Sequence, residues 1–236
     1  MARIPRLVVP GLAHHVTQRG TRRQRVFFSD ADCRLYLSLL SRWAEASAVE
    51  INCYCLMPNH VHLIVVPRTV TSLARLFRGL HSQYAEIVNA RYEWKGHLWQ
   101  QRYGSSPMDR AHLEAALRYL VLNPVRAELV RSALDWPWSS VKAHLGIADD
   151  PLLASPLLRL DQEFVRGPLG DEFLAQVRSA SRTGRPIGSD RFLRELEERT
   201  GRRLHLLRPG PRPIRDRGEE PSARSSPVGG DRGQVY

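Results

Sequence analysis

One run, Met57-Pro-Asn-His-Val-His-Leu-Ile-Val-Val-Pro67, constrains the fold of this chain more than any other. Its second half is apolar and β-branched, which marks a buried strand. Side chains on a strand alternate between faces, so residues two apart point the same way. His60 and His62 therefore project together from one rigid element. Neutral imidazole is the commonest protein ligand for a divalent metal, and a paired display is what such an ion needs. The plainer alternative is two polar residues at a strand entrance, satisfied by backbone or water.

Around this strand the chain alternates between the two periodicities. His14 to Gln18 reads as a first strand that ends at Gly20, followed by a basic loop from Thr21 to Arg25. Ser29 or Asp30 can cap a helix to about Ala46, with Leu35, Leu39, Leu40 and Trp43 as its buried stripe. Val49 to Met57 is a second strand, Pro58-Asn59 a turn, and Asn59 to Val66 the third strand. Thr71 or Ser72 caps a second helix to about Tyr92, with Leu73, Leu76, Phe77, Leu80, Tyr84 and Ile87 at helical spacing. A loop from Trp94 to Gly104 has room for an edge strand. Asp109 caps a third helix that should end at Asn123, because Pro124 disfavours helical geometry in its predecessor. Strand, helix, hairpin, helix, strand is an α+β pattern of the ferredoxin-like (RRM-like) kind, an antiparallel sheet with helices packed on it. Composition shifts after about Asp150. Segments 162–181 and 189–201 read as helices, and from Arg208 onward Pro, Gly, Arg and Ser predict disorder. The expected organisation is a catalytic domain over 1–150, an accessory helical segment over 151–207 and a disordered basic tail over 208–236.

Charge narrows the class of partner. The formal net charge of the 236 residues is +11, and lysine occurs only at Lys95 and Lys142. A positive field of this size favours polyanions, and arginine grips phosphate with two parallel hydrogen bonds. Three cysteines, Cys33, Cys53 and Cys55, are too few for a disulfide framework and suit a reducing cytoplasm. No stretch approaches the roughly 20 apolar residues of a membrane span.

The third helix carries Arg118-Tyr-Leu-Val-Leu-Asn-Pro124. Tyr119 and Asn123 are four apart and stack on one helix face. A phenol and an amide near a histidine pair could serve as nucleophile and third metal ligand. Read from the helix alone, they are equally a half-buried tyrosine and a helix cap.

Together, Met-Pro-Asn-His-Val-His and Tyr-Leu-Val-Leu-Asn-Pro-Val-Arg resemble the single-tyrosine HUH transposases, and within them the group associated with repetitive extragenic palindromes (REP elements) in bacteria. Leu98-Trp-Gln-Gln-Arg-Tyr103 and Trp136-Pro-Trp-Ser-Ser140 are also similar to that group, so the likeness covers about Gly11 to His144. It implies a divalent cation, Mg²⁺ or Mn²⁺, held by His60, His62 and Asn123, where many relatives carry the longer glutamine. It implies attack by Tyr119 on a phosphodiester of single-stranded DNA, leaving a 5′-phosphotyrosine and a free 3′-hydroxyl. The implied partner is single-stranded or hairpin DNA, bound by a cytoplasmic, nucleoid-associated monomer or homodimer. Arg19, Arg22, Arg23 and Arg25 after the first strand, and Trp94, Lys95, Trp99, Arg102 and Tyr103 before the tyrosine helix, are the expected DNA contacts, because single strands bind to basic grooves with aromatic platforms. Three alternatives stay open: a non-catalytic nucleic-acid-binding module, a replication or conjugation nickase, and a zinc hairpin of Cys53, Cys55, His60 and His62. The last requires a two-residue turn at Pro58-Asn59, a poor sequence for one.

Overall fold

The computed structural model describes residues 6–154, 160, 161, 165, 175–177, 179, 180 and 183–205. Met1–Leu204 form one compact unit; of the second, His205–Tyr236, only His205 is described. Most of the helix expected over 162–181, and all of the tail expected over 208–236, lie outside the described residues; within that helix, residues 175–177, 179 and 180 are helical.

Four strands, β1 (His14–Arg19), β2 (Val49–Met57), β3 (His60–Pro67) and β4 (Gly104–Pro107), form one antiparallel sheet in the order β2-β3-β1-β4. Helices α1 (Asp30–Ala46) and α2 (Ser72–Arg91) connect β1 to β2 and β3 to β4. This is the expected α+β, ferredoxin-like sheet. Helix α3 (Arg110–Val121) follows β4, then α4 (Asn123–Arg126), α5 (Val141–His144) and α6 (Asp190–Thr200).

Strand alternation sorts the side chains onto two faces. Val16, Val61, Leu63 and Val65 join the apolar stripes of α1 and α2 in the main core. Cys53 and Ile64 on the other face pack with Leu113, Leu117 and Leu120 of α3. The tyrosine helix therefore lies across the sheet from α1 and α2. On α1 the buried stripe is rotated from the expected one. Cys33, Tyr36, Leu40 and Ala44 are buried with Leu39, while Leu35 and Trp43 are only partly covered. Trp43 lies over Gly79 of α2, where a Cβ would meet the indole at 2.4 Å, so the ring uses the space that a larger residue would fill. On α2, Val88 is buried and Ile87 only partly so.

Local signals explain the boundaries. Ser29 and Asp32 form a reciprocal capping box at the start of α1. The Asp32 carboxylate, which has no solvent exposure, also pairs with Arg91 at the end of α2. Both sheet edges are covered by later chain. Leu56 N–H donates to Trp138 O and Ala154 N–H to Ile51 O along β2, and Ile187 N–H donates to Pro107 O along β4. Such covering removes the template for edge-to-edge association. Helix α6 packs Phe192 and Leu196 with Leu7 and Val9.

Candidate active site

The start of β3, the end of β1 and the α3–α4 junction enclose a cleft of about 640 Å³. Its walls include Gln18, Arg19, Met57, His60, His62, Arg102, Tyr119, Asn123 and Arg126. The two histidines, the tyrosine and the asparagine singled out in the sequence thus meet in one place, with Arg19 and Arg102 at its rim.

The hairpin that presents the histidines has Met57 opposite His60 and Cys55 opposite His62, so Pro58-Asn59 is a two-residue turn after all. External bonds hold it: Val26 N–H donates to Pro58 O and Gly20 N–H to Asn59 O, both at 2.9 Å. Asn59 then sets the tautomer of His60. Its Nδ2 donates to Arg23 O at 3.0 Å, which leaves Oδ1 to accept from His60 Nδ1 at 2.6 Å. The proton on Nδ1 leaves Nε2 bare, the form in which an imidazole can ligate a metal.

His62 is held from β1. Its Nδ1 lies 3.0 Å from Nε2 of His15, with the ring planes within 5° of parallel. When His62 donates in this bond, its own Nε2 is bare, and His15 carries its proton on Nδ1, which has no partner. Burial, reinforced by Arg19, pushes His60 down to about 3. Burial pushes His15 down to about 4 and His62 well down, the latter also through His60, His15, Arg19 and Arg126. All three imidazoles are neutral near pH 7, the form that binds metal.

Tyr119, 7 % exposed, stands edge-on to both rings, with centroids 6.1 Å from His15 and 5.7 Å from His62. The guanidinium of Arg126 lies 4.5 Å from the centre of its ring. Helix α3 stops at Val121 and not at Asn123. Pro124 has no N–H for the carbonyl of residue 120, so the ladder breaks there, and the proline sits in the first turn of α4 where its missing donor costs nothing. Asn123 opens that new turn, and its buried Nδ2 has no hydrogen-bond partner.

Among the described residues, no group of three His, Cys, Asp or Glu side chains could hold a metal. The donor set that remains is two imidazoles and a carboxamide. It fits a divalent cation on one observation: the orphaned end of the Asn123 amide. The two ends of a carboxamide are nearly isosteric, and a half-turn puts an oxygen where the unpaired nitrogen stands. The zinc hairpin is not assembled, although its register is present. Cys55 Sγ turns to Met57 Sδ at 3.9 Å, and Cys53 Sγ accepts from Ser140 Oγ at 3.4 Å.

The expected DNA contacts divide. Arg19, Arg22, Arg23, Arg25, Lys95 and Arg102 are all exposed. Arg22 and Arg23 take left-handed backbone angles in the turn after β1. Trp94 is exposed, whereas Trp99 and Tyr103 face inward, each 8 % exposed in the main core, with Trp99 Nε1 donating to His81 O. Sequence reasoning missed Asn59, His15 and Arg126. A polar residue in the turn just before His60 was the available signal for Asn59. The other two are visible only through strand register and the helix break.

Residues 8–123 match the family described as "Transposase IS200 like". The chain's relatives include proteins of the REP-associated kind. The chain is 25 % identical over 92 residues to a REP-associated tyrosine transposase of Escherichia coli K12, covering 39 % of this chain and 53 % of that one. It thus spans about half the length of this curated relative. A solved REP-associated tyrosine transposase, bound to a REP hairpin, superimposes with a TM-score of 0.54 at 18 % identity, over 72 % of this chain and 98 % of that one. A transposase structure from Deinococcus radiodurans gives a TM-score of 0.36 at 21 % identity, over 51 % of this chain and 96 % of that one.

Proposed function

We propose that this chain is a single-strand DNA transesterase of the transposase type, cleaving and rejoining DNA beside palindromic hairpins of the REP kind. The convergence of Tyr119, His60, His62 and Asn123 in one arginine-rimmed cleft carries this reading. The Tyr119 oxygen attacks phosphorus, its new bond replaces the bond to the 3′ oxygen, and the products are a 5′-phosphotyrosine and a free 3′-hydroxyl. The proton lost by the phenol is balanced by the one the departing oxygen gains. The covalent link conserves the bond for rejoining.

Arg126 favours this step, because a guanidinium against the ring stabilises negative charge building on the phenol oxygen. Arg19 and Arg102 at the rim hold the flanking phosphates. His60, His62 and Asn123 would hold the cation, with Asn59 and His15 keeping each imidazole turned toward it. When bound, a divalent ion there withdraws charge from the scissile phosphate. Mg²⁺ prefers oxygen donors, so two imidazoles tilt the choice toward Mn²⁺. All these side chains lie within 1–150, which we assign as the catalytic domain, with 151–207 accessory to it and 208–236 a basic tail.

The test is a 3′-labelled hairpin oligonucleotide with a single-stranded flank, incubated with divalent metal and resolved under denaturing conditions. Wild type should carry the label as a protein adduct. Tyr119→Phe should bind the oligonucleotide but form none. An adduct that persists in the variant would move the nucleophile elsewhere.

A further inference from the structure

Among the described residues, the large aromatic side chains most open to solvent are Tyr92, 38 % exposed, and Trp94, 46 % exposed. They are not scattered. Their rings lie 4.8 Å apart and 24° from parallel. Phe28 completes the group, 4.9 Å from Tyr92 and 5.4 Å from Trp94.

The backbone is built to hold this arrangement. Glu93, between the two rings, has a φ of 55°, a left-handed conformation that a glutamate adopts at a cost. Trp94 N–H donates to Asn89 O at 2.9 Å, and Asn89 Nδ2 donates to Gly96 O at 3.0 Å, which closes the turn beneath them. The Asp32–Arg91 ion pair ties the end of α2 to the start of α1, which brings Tyr92 beside Phe28. Phe28 packs against the main core, and Tyr92 and Trp94 lie outside it.

The group also continues toward the cleft. Phe28 lines a second hollow, of about 330 Å³, with Arg25, Trp136 and Trp138. Met57 is a wall of this hollow and of the Tyr119 cleft alike. The hollow beside Phe28 and the candidate active site therefore adjoin through Met57.

We propose that Phe28, Tyr92 and Trp94 form a stacking platform for unpaired bases of the DNA strand whose phosphodiester enters the Tyr119 cleft. This rests on reading that cleft as a single-strand cleavage site. Flat aromatic faces accept any base, so the platform supplies affinity for single-stranded flank without a sequence requirement. It fits no duplex, whose bases are already stacked on one another.

The experiment uses the full chain and a fluorescein-labelled oligodeoxythymidylate, with anisotropy followed across a salt series. Tyr92→Ala/Trp94→Ala should raise Kd by about tenfold or more, as expected for the loss of base–aromatic stacking. The slope of log Kd against log salt should not change, because no phosphate contact is removed. Trp94→Phe, which keeps an aromatic face, should bind as wild type does, and both proteins should melt cooperatively. An unchanged Kd in the double variant overturns the platform, as does a rise in Kd matched by a shallower salt slope. If the double variant does not fold, Trp94→Ala set against Trp94→Phe decides in the same way. The cleft reading fails separately: wild type would then bind no single strand, or form no adduct through Tyr119.

Discussion

The two faces of the sheet are built from the same strands and have opposite characters. On β3, Val61, Leu63 and Val65 enter a dry core, while His60 and His62 enter a polar cleft. On β1 the contrast falls between adjacent histidines. His14, on the dry side, has both nitrogens satisfied by backbone: Nε2 accepts from Val9 N–H and Nδ1 donates to Leu12 O. His15, one residue on, bonds only His62 and keeps Nδ1 unpaired. His81 on α2, also outside the cleft, has its Nε2 3.1 Å from the Tyr36 hydroxyl. A buried histidine by itself therefore says little about function. Buried atoms without partners occur on both faces, Gln18 Oε1 and Ser105 Oγ on the side of Val16 among them, but those of Asn123 and of His15, which braces His62, belong to the cleft.

Single substitutions can break this contrast. The largest effect is expected from His62→Ala, which should abolish metal-dependent adduct formation. Its Mn²⁺ affinity should fall by at least about a hundredfold, since even the outer partners of ligands cost about 10–100-fold. Calorimetric titration that finds wild-type affinity would remove the histidine from the site. Next is Leu63→Ala on the dry face, which should cost about 2–5 kcal/mol of stability in urea unfolding. Below its melting temperature it should still form adduct at the wild-type rate; a loss there would mean that the faces are coupled.

Acid should act on both faces. Burial lowers His14 and His15 to about 4 and His81 and His60 to about 3, against an ordinary value of 6.5. Between pH 6.5 and about 4 the unfolded chain binds protons that the folded chain refuses, so stability falls as pH falls. Several groups act together, so the slope should exceed the roughly 1.4 kcal/mol per pH unit available to one histidine. Urea midpoints across that range measure it, and a one-proton slope would contradict the burial. The smallest effect sharpens the difference between neighbours. His15→Gln should weaken Mn²⁺ binding about tenfold, whereas His14→Gln should leave it unchanged. Equal effects would show that the two histidines are interchangeable.

Much of this was legible in the sequence because periodicity reports faces. The alternation after His60, the helical spacing in α2 and the caps at Ser29 and Asp109 give the element order and the antiparallel sheet. The histidine pair and the tyrosine–asparagine spacing give four walls of the cleft. What stayed hidden depends on how elements meet. His15 gains its meaning from a strand register that no local pattern specifies. Asn59 looked like a turn residue, and only its two opposed hydrogen bonds show that it orients His60. The stripe on α1 turned because Trp43 found its space over Gly79, a long-range fit. Trp99 read as a loop aromatic because burial of a loop residue leaves no periodic trace.

Asp109 does more than start the tyrosine helix. One carboxylate oxygen accepts from His112 N–H at 2.9 Å, and the other accepts from Ser189 N–H at 2.9 Å, eighty residues further along. Arg199 of α6 in turn donates to Pro10 O, just ahead of β1. On the proposed mechanism, a strand of DNA joined to Tyr119 would make this helix a tether, and any tension on the strand would pull along it. The fastening at Asp109 passes that load into a segment near the far end of the compact unit, and from there to the chain before β1. The machine is thus braced like a guyed mast, by the Asp109 side chain and by the backbone bonds of Ile187 with Pro107 and Asp109.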